Sequence, residues 1–177
     1  ITNRFGAYFG ADRRSRGELV FRALEHESVK GASAALSALD PTDFNGFHLI
    51  IASEESARVV WGDGERLSSS ALPRGKISVI TERSFGAARN RRKVHVKHEV
   101  DDMAANEALS EDAMRQVLSE RDDGNLDATC VVMDEIDYGT RSSTIYTAGR
   151  APRLLFADGP PCQTEFEDKS DLLASLR

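Results

Sequence analysis

Apolar residues recur along this chain first at helical spacing and then at strand spacing. Ser15 and Glu18 have the S-x-x-E spacing of a capping box, and Leu19, Val20, Ala23 and Leu24 behind them share one helical face. Ser28 is placed to cap a second helix carrying Val29, Ala32, Leu36 and Leu39, which Asp40-Pro41 ends. Both helices are short and one-sided, so each needs a sheet or another helix to cover. Residues 47–52 are almost continuously apolar, as in a strand buried on both faces. Residues 57–61 and 65–67 flank Gly62-Asp63-Gly64, a hairpin signal because glycine supplies positive φ. Residues 76–81 alternate and predict a further strand.

Residues 99–112 are rich in acid, alanine and asparagine and read as a solvated connection. Ser110 then caps a helix with Glu111 and Asp112 in its first turn and Met114, Val117 and Leu118 on its apolar stripe. Asp123-Gly124-Asn125 closes that helix. Strands are expected at 129–133, 142–147, 153–157 and 163–166, with turns at Gly149-Arg150 and Gly159-Pro160-Pro161. Leu172, Leu173 and Leu176 give the last residues an amphipathic pattern. Helices, strands, a helix and then antiparallel strands make the expected class α+β, not a doubly wound parallel sheet. A single domain over residues 1–177 is expected, and no glycine-rich phosphate loop occurs.

Composition narrows the function classes. No run approaches the roughly 20 apolar residues of a membrane span, and a net charge of −6 argues against nucleic acid as partner. Against that acidic balance, Arg83, Arg89, Arg91, Arg92, Lys93 and Lys97 form a stretch without acid. It is suited to a phosphate-bearing ligand, an anionic surface or an acidic partner, but such runs are more often a solvated face, here paired with Glu99, Asp101 and Asp102. Cys130 and Cys162 are too few for a disulfide framework; a single bridge cannot be deduced, and two reduced thiols are expected. That cysteine use, with no signal-peptide pattern, implies a cytoplasmic location. His95 and His98 are the only close histidine pair and have one neighbouring carboxylate, Glu99, so neither a metal nor another cofactor is expected.

The segment richest in chemistry is Asp137-Tyr138-Gly139-Thr140-Arg141-Ser142-Ser143-Thr144-Ile145. A glycine turn leads into a strand whose mouth carries a guanidinium and several hydroxyls, a suitable arrangement for orienting a carboxylate or amide. The bland alternative is a turn whose arginine ties down a loop.

Together with Ile1-Thr2-Asn3-Arg4, Ser15-Arg16-Gly17-Glu18-Leu19-Val20 and Asn45-Gly46-Phe47-His48-Leu49-Ile50, this segment resembles the NRDE family, the transport and Golgi organisation family. The resemblance implies an N-terminal nucleophile hydrolase-like fold, two antiparallel sheets between helix layers. It also implies a cysteine nucleophile just after the initiator methionine, with its own α-amine as base. The present sequence starts at Ile1, which has no nucleophilic atom, so an upstream segment of the same protein is expected to complete the fold. Asn3 matches a residue that helps hold an oxyanion, and Arg141 matches one that positions substrate. Arg4, Tyr138 and Ser143 flank those positions as binding candidates. Thr81, Glu82 and Arg83 stand where relatives tend to carry a hydroxyl–asparagine pair, and Glu82 puts negative charge where a donor is wanted. Two functions follow as expectations: a cysteine amidohydrolase or acyltransferase acting on a small molecule, or a non-enzymatic binding or trafficking protein for haem, lipid or acyl-coenzyme A-type ligands. His48 and His95 are candidate haem ligands on the second reading.

Overall fold

The computed structural model describes residues 1–7, 9–88, 91–121 and 127–174. The chain is mixed α and β with antiparallel sheets and divides into two compact units, Ile1–Asn90 and Arg91–Arg177.

In the first unit, strands β1 (Thr2–Asn3), β2 (Phe47–Ala52), β3 (Ala57–Gly62) and β4 (Leu67–Leu72) form one antiparallel sheet in chain order. Helices α1 (Gly17–Leu24) and α2 (Val29–Ser37) supply its apolar cover. Phe47 pairs with Gly62 and Leu49 with Val60. The period-two alternation therefore sends Phe47, Leu49 and Val60 to one face, where they pack with Leu19, Ala23, Ala32, Leu36 and Phe44. Gly62 is needed there, because a Cβ would lie 2.8 Å from Leu67 Cδ2 and 3.1 Å from the Phe47 ring. The other face carries His48 opposite Trp61, and Val59, which is fully buried.

Ser28 caps α2 as its position predicts, its Oγ accepting from Gly31 N at 3.1 Å. The capping box before α1 does not form. Arg16 is the cap, Ser15 Oγ accepts from Gly17 N, and Glu18 pairs with Arg14. The hairpin turn forms at residues 62–64, with the Asp63 carboxylate accepting from the amides of Glu65 and Arg66, but the strand after it runs over 67–72, not 65–67. The strand expected at 76–81 is absent. The chain instead turns sharply at 81–84, where Ser84 Oγ accepts from Thr81 N and Ser84 N donates to Thr81 O.

In the second unit, helix α3 (Arg91–Ala105) replaces the expected solvated connection as far as residue 105. Lys97 with Asp101 and His98 with Asp102 are spaced i,i+4 on its surface, pairs that add helical stability and carry no apolar signal. Helix α4 (Glu111–Ser119) is capped by Ser110 Oγ on Ala113 N. The turn read at residues 123–125 lies outside the described residues. Strands β5 (Val132–Met133) and β6 (Tyr138–Gly139) make a short ribbon, and β7 (Ser143–Thr147), β8 (Arg153–Ala157) and β9 (Glu167–Asp168) make a three-stranded sheet. No strand forms at 163–166; Gln163 N and Thr164 N both donate to Pro160 O in a turn. Helix α5 (Asp171–Ala174) is the last described element, and Leu176 lies outside the described residues. Arg153 ties this unit together by reaching Glu111 at the start of α4 and Asp168 on β9.

Cys130 and Cys162 are joined in a disulfide with Cα atoms 6.1 Å apart. The expectation of reduced thiols is thereby corrected. With it goes the cysteine-based argument for a cytoplasmic location, since disulfides persist in oxidising surroundings. Among the described residues, no helix is long and apolar enough to cross a membrane.

Candidate functional site

The candidate residues of the first unit converge through the pairing of β1 with β2. That pairing sets Thr2 opposite His48 and Asn3 opposite Phe47. Beyond Asn3 the chain is fastened to the 81–85 turn, with Phe5 N donating to Glu82 O at 2.8 Å. Arg4 is the latch. Its Nη1 donates to Ser84 O at 3.0 Å and lies 3.1 Å from His48 Nε2, while Nη2 donates to Phe85 O at 3.0 Å. Phe85 holds φ at +50°, unusual for a residue with a bulky side chain, and its ring stacks on Trp61 at 4.4 Å.

His48 lies at the centre of this cluster, 1% exposed. Burial pushes its pKa below the ordinary value; the Ser84 and Asn3 main chains oppose the shift, and the Arg4 charge adds to it. The ring is therefore neutral at neutral pH. Nε2 lies between the Arg4 guanidinium at 3.1 Å, which only donates, and Ser84 O at 3.2 Å, which only accepts, so the tautomer decides which of the two it bonds. The Nδ1 atom is buried without a hydrogen-bond partner among the described residues. His48 thus has no ring nitrogen open to a haem iron.

Arg83 places its guanidinium 4.4 Å from the centre of the Phe5 ring and its Nε 3.4 Å from the Glu82 carboxylate. The negative charge that Glu82 brings is accordingly met at once by a neighbouring cation. Thr81 supplies the turn, its Oγ1 accepting from Arg83 N. Asn3 is exposed on β1, the edge strand of the sheet, and its carboxamide makes no hydrogen bond among the described residues.

Tyr138, Arg141 and Ser143 belong to the second unit. Tyr138 and Arg141 border a cleft of about 270 Å³ together with Asp134, Asp137, Gly139 and Thr140. Gly139 is required in the ribbon, because a Cβ would come within 2.5 Å of Val131 O. Thr140 Oγ1 accepts from Val131 N at 3.1 Å and fixes the strand mouth. The Arg141 side chain is 79% exposed, reaching Asp137 O at 3.5 Å and the Asp137 carboxylate at 3.9 Å. Ser143 starts β7 opposite Ala157. His95, on α3, is half exposed with Nε2 2.7 Å from Glu120. No cluster of three metal-ligating side chains occurs among the described residues.

No family model, curated protein or solved structure matches the chain.

The sequence points to none of Ser84, Phe85 and Trp61 as site residues, and to His48 only as a candidate haem ligand. One signal was present: a histidine inside the apolar run of residues 47–52 must be buried with a polar partner, and Arg4 is that partner.

Proposed function

We propose that this chain is the later part of an NRDE-type, N-terminal nucleophile hydrolase-like protein, an amidohydrolase or acyltransferase whose cysteine nucleophile precedes residue 1. The observation carrying this reading is the setting of Asn3, a free carboxamide on the edge strand, next to a residue clamped by three hydrogen-bonding contacts. An oxyanion donor must be presented rigidly and without a competing partner, and the Arg4 latch provides that rigidity to the backbone of β1. The open edge of β1 offers pairing groups for preceding strands, in keeping with a sandwich completed by an upstream segment. The Glu82–Arg83 pair softens the objection that Glu82 raised from the sequence, because local charge is balanced.

In this reading the α-amine takes the thiol proton as the sulfur attacks an acyl carbonyl, and Asn3 Nδ2 donates to the oxygen as it gains charge. The amine or thiol leaves with that proton, and the acyl group on sulfur then passes to water or an acceptor amine. Arg141 borders its own cleft in the second unit, where its guanidinium would orient a carbonyl or carboxylate. Non-enzymatic binding of haem, lipid or acyl-coenzyme A-type ligands is the competing reading, and for haem the closed environment of His48 counts against it.

The test uses the protein as its host makes it, with any segment preceding Ile1 retained. Incubation with short acyl-coenzyme A thioesters should leave an acyl group on the N-terminal cysteine, detected by intact mass. Saturable ligand binding without any adduct or turnover, across thioester and N-acyl amide substrates, would instead favour the binding reading.

A further inference from the structure

A second cleft, of about 570 Å³, lies in the first unit where the β2–β3 hairpin meets the end of β4. It shares no residue with the cluster around Arg4 and His48. Its size falls within the range of small-molecule sites, and its lining is divided by chemistry. Ala57, Ala71, Leu72 and Pro73 provide an apolar floor, while Lys30, Arg58, Arg74 and Lys76 bring four cations to the border. Two carboxylates, Glu54 and Glu55, also line it, and Glu55 is occupied by Ser53 Oγ at 2.9 Å. The cleft is thus net positive on a chain whose overall charge is −6.

The cations differ in what they already do. Arg58 is engaged, its Nε donating to Ser33 Oγ and its Nη2 to Ser69 Oγ, so it acts as part of the wall. Lys30, Arg74 and Lys76 are exposed and make no ion pair or hydrogen bond among the described residues. Arg74 and Lys76 flank Gly75, whose φ of +69° makes a tight turn and brings both cations to the same cleft. Ser53, Ser56 and Ser78 add hydroxyls to the lining. An anionic group meeting two or three uncommitted cations, with an apolar body over the Ala57–Leu72 floor, matches each part of this lining.

We propose that this cleft binds a small phosphate monoester with an apolar body, the phosphate held by Lys30, Arg74 and Lys76. The site is independent of the hydrolase reading and stands or falls apart from it.

The probe is 1-naphthyl phosphate, titrated into the full chain and followed by amide chemical-shift changes. Inorganic phosphate and neutral 1-naphthol serve as arms that separate the two halves of the ligand. The expected result is saturable shifts confined to residues 53–58 and 71–78, with each half alone binding at least about tenfold more weakly. Arg74→Gln and Lys76→Gln are exposed changes that leave the fold intact, and each should weaken binding about fivefold, more steeply at low salt. A matching loss of binding to vesicles of phosphatidylcholine with phosphatidic acid in the two variants would support the same phosphate chemistry with a lipid headgroup as its source. Absence of shifts at these residues, or affinity unchanged in the Arg74→Gln, Lys76→Gln double variant, would overturn the proposal.

Discussion

Replacing Arg4 tests the physical core of the site. In Arg4→Ala, the carbonyls of Ser84 and Phe85 each lose a charged donor at 3.0 Å, and His48 Nε2 loses its neighbour at 3.1 Å. Hydrogen bonds to charged groups contribute about 1.5–3 kcal/mol each. The two carbonyl bonds share one side chain and are only partly buried, so their loss is not additive; about 2–4 kcal/mol is the expected total. With a urea slope of about 1–3 kcal/mol per molar, the unfolding midpoint of the first unit should fall by roughly 1–2 M. The assay has a built-in reporter. Trp61 is the only tryptophan of the chain, and it stacks on Phe85 at the end of the same turn. Its emission should therefore shift to the red in the folded variant, before any denaturant is added. Arg4→Lys keeps the charge but loses the fork that reaches two carbonyls, and should recover less than half of the loss. An unfolding free energy within about 0.5 kcal/mol of wild type, with unchanged Trp61 emission, would refute the latch.

Other predictions concern charge and covalent linkage. The folded pKa of His48 is lowered, chiefly by burial, so the unfolded chain binds the proton more readily. Its contribution to stability is present above the ordinary value of 6.5 and is lost as pH falls from there through the lower folded value; urea midpoints read by Trp61 at pH 7.5 and 5 should show the drop, and His48→Phe should lessen it. Asp168 is held down to about 2 by the Ser170 hydroxyl and amide first and by Arg153 second. Its stabilising effect is present above 3.8 and fades as pH falls toward 2; Arg153→Gln should raise the Asp168 value only partway, as carboxylate NMR titration will show. The Cys130–Cys162 bridge spans 32 residues, and the loop-closure argument gives about 3.7 kcal/mol for it. The double serine variant should lose stability on that scale, and after reduction the buried Cys130 should resist an alkylating label until the protein unfolds, while the half-buried Cys162 accepts it first.

How much could be read from the sequence follows from which forces act locally. Ser28 before an apolar stripe and Asp63 between two glycines are short-range devices, and both formed where they were read. Residues 76–81 alternate like a strand, yet the Ser84 hydroxyl on Thr81 N and the left-handed backbone of Phe85 divert the chain into a turn that only tertiary contacts specify. Helix α3 is not predicted as an element, because its surface carries i,i+4 ion pairs and no hydrophobic period. The disulfide had no spacing pattern to reveal it. Within the site, Asn3, Arg4 and residues 81–83 were named individually, but nothing in their spacing shows that Phe5 N meets Glu82 O across 77 positions. The division of the candidates between two units was equally hidden, since Arg141 and Tyr138 read from sequence as one motif with no address.

The most direct measurement is the steady-state kinetics of Asn3→Ala beside the native protein, both with any segment preceding Ile1 retained, on acyl thioester and N-acyl amide substrates. Loss of an oxyanion donor predicts a fall of about 10²–10³ in kcat with little change in KM. An unchanged kcat, or no turnover by the native protein on either substrate class, would contradict the assignment of this edge strand to acyl-transfer chemistry.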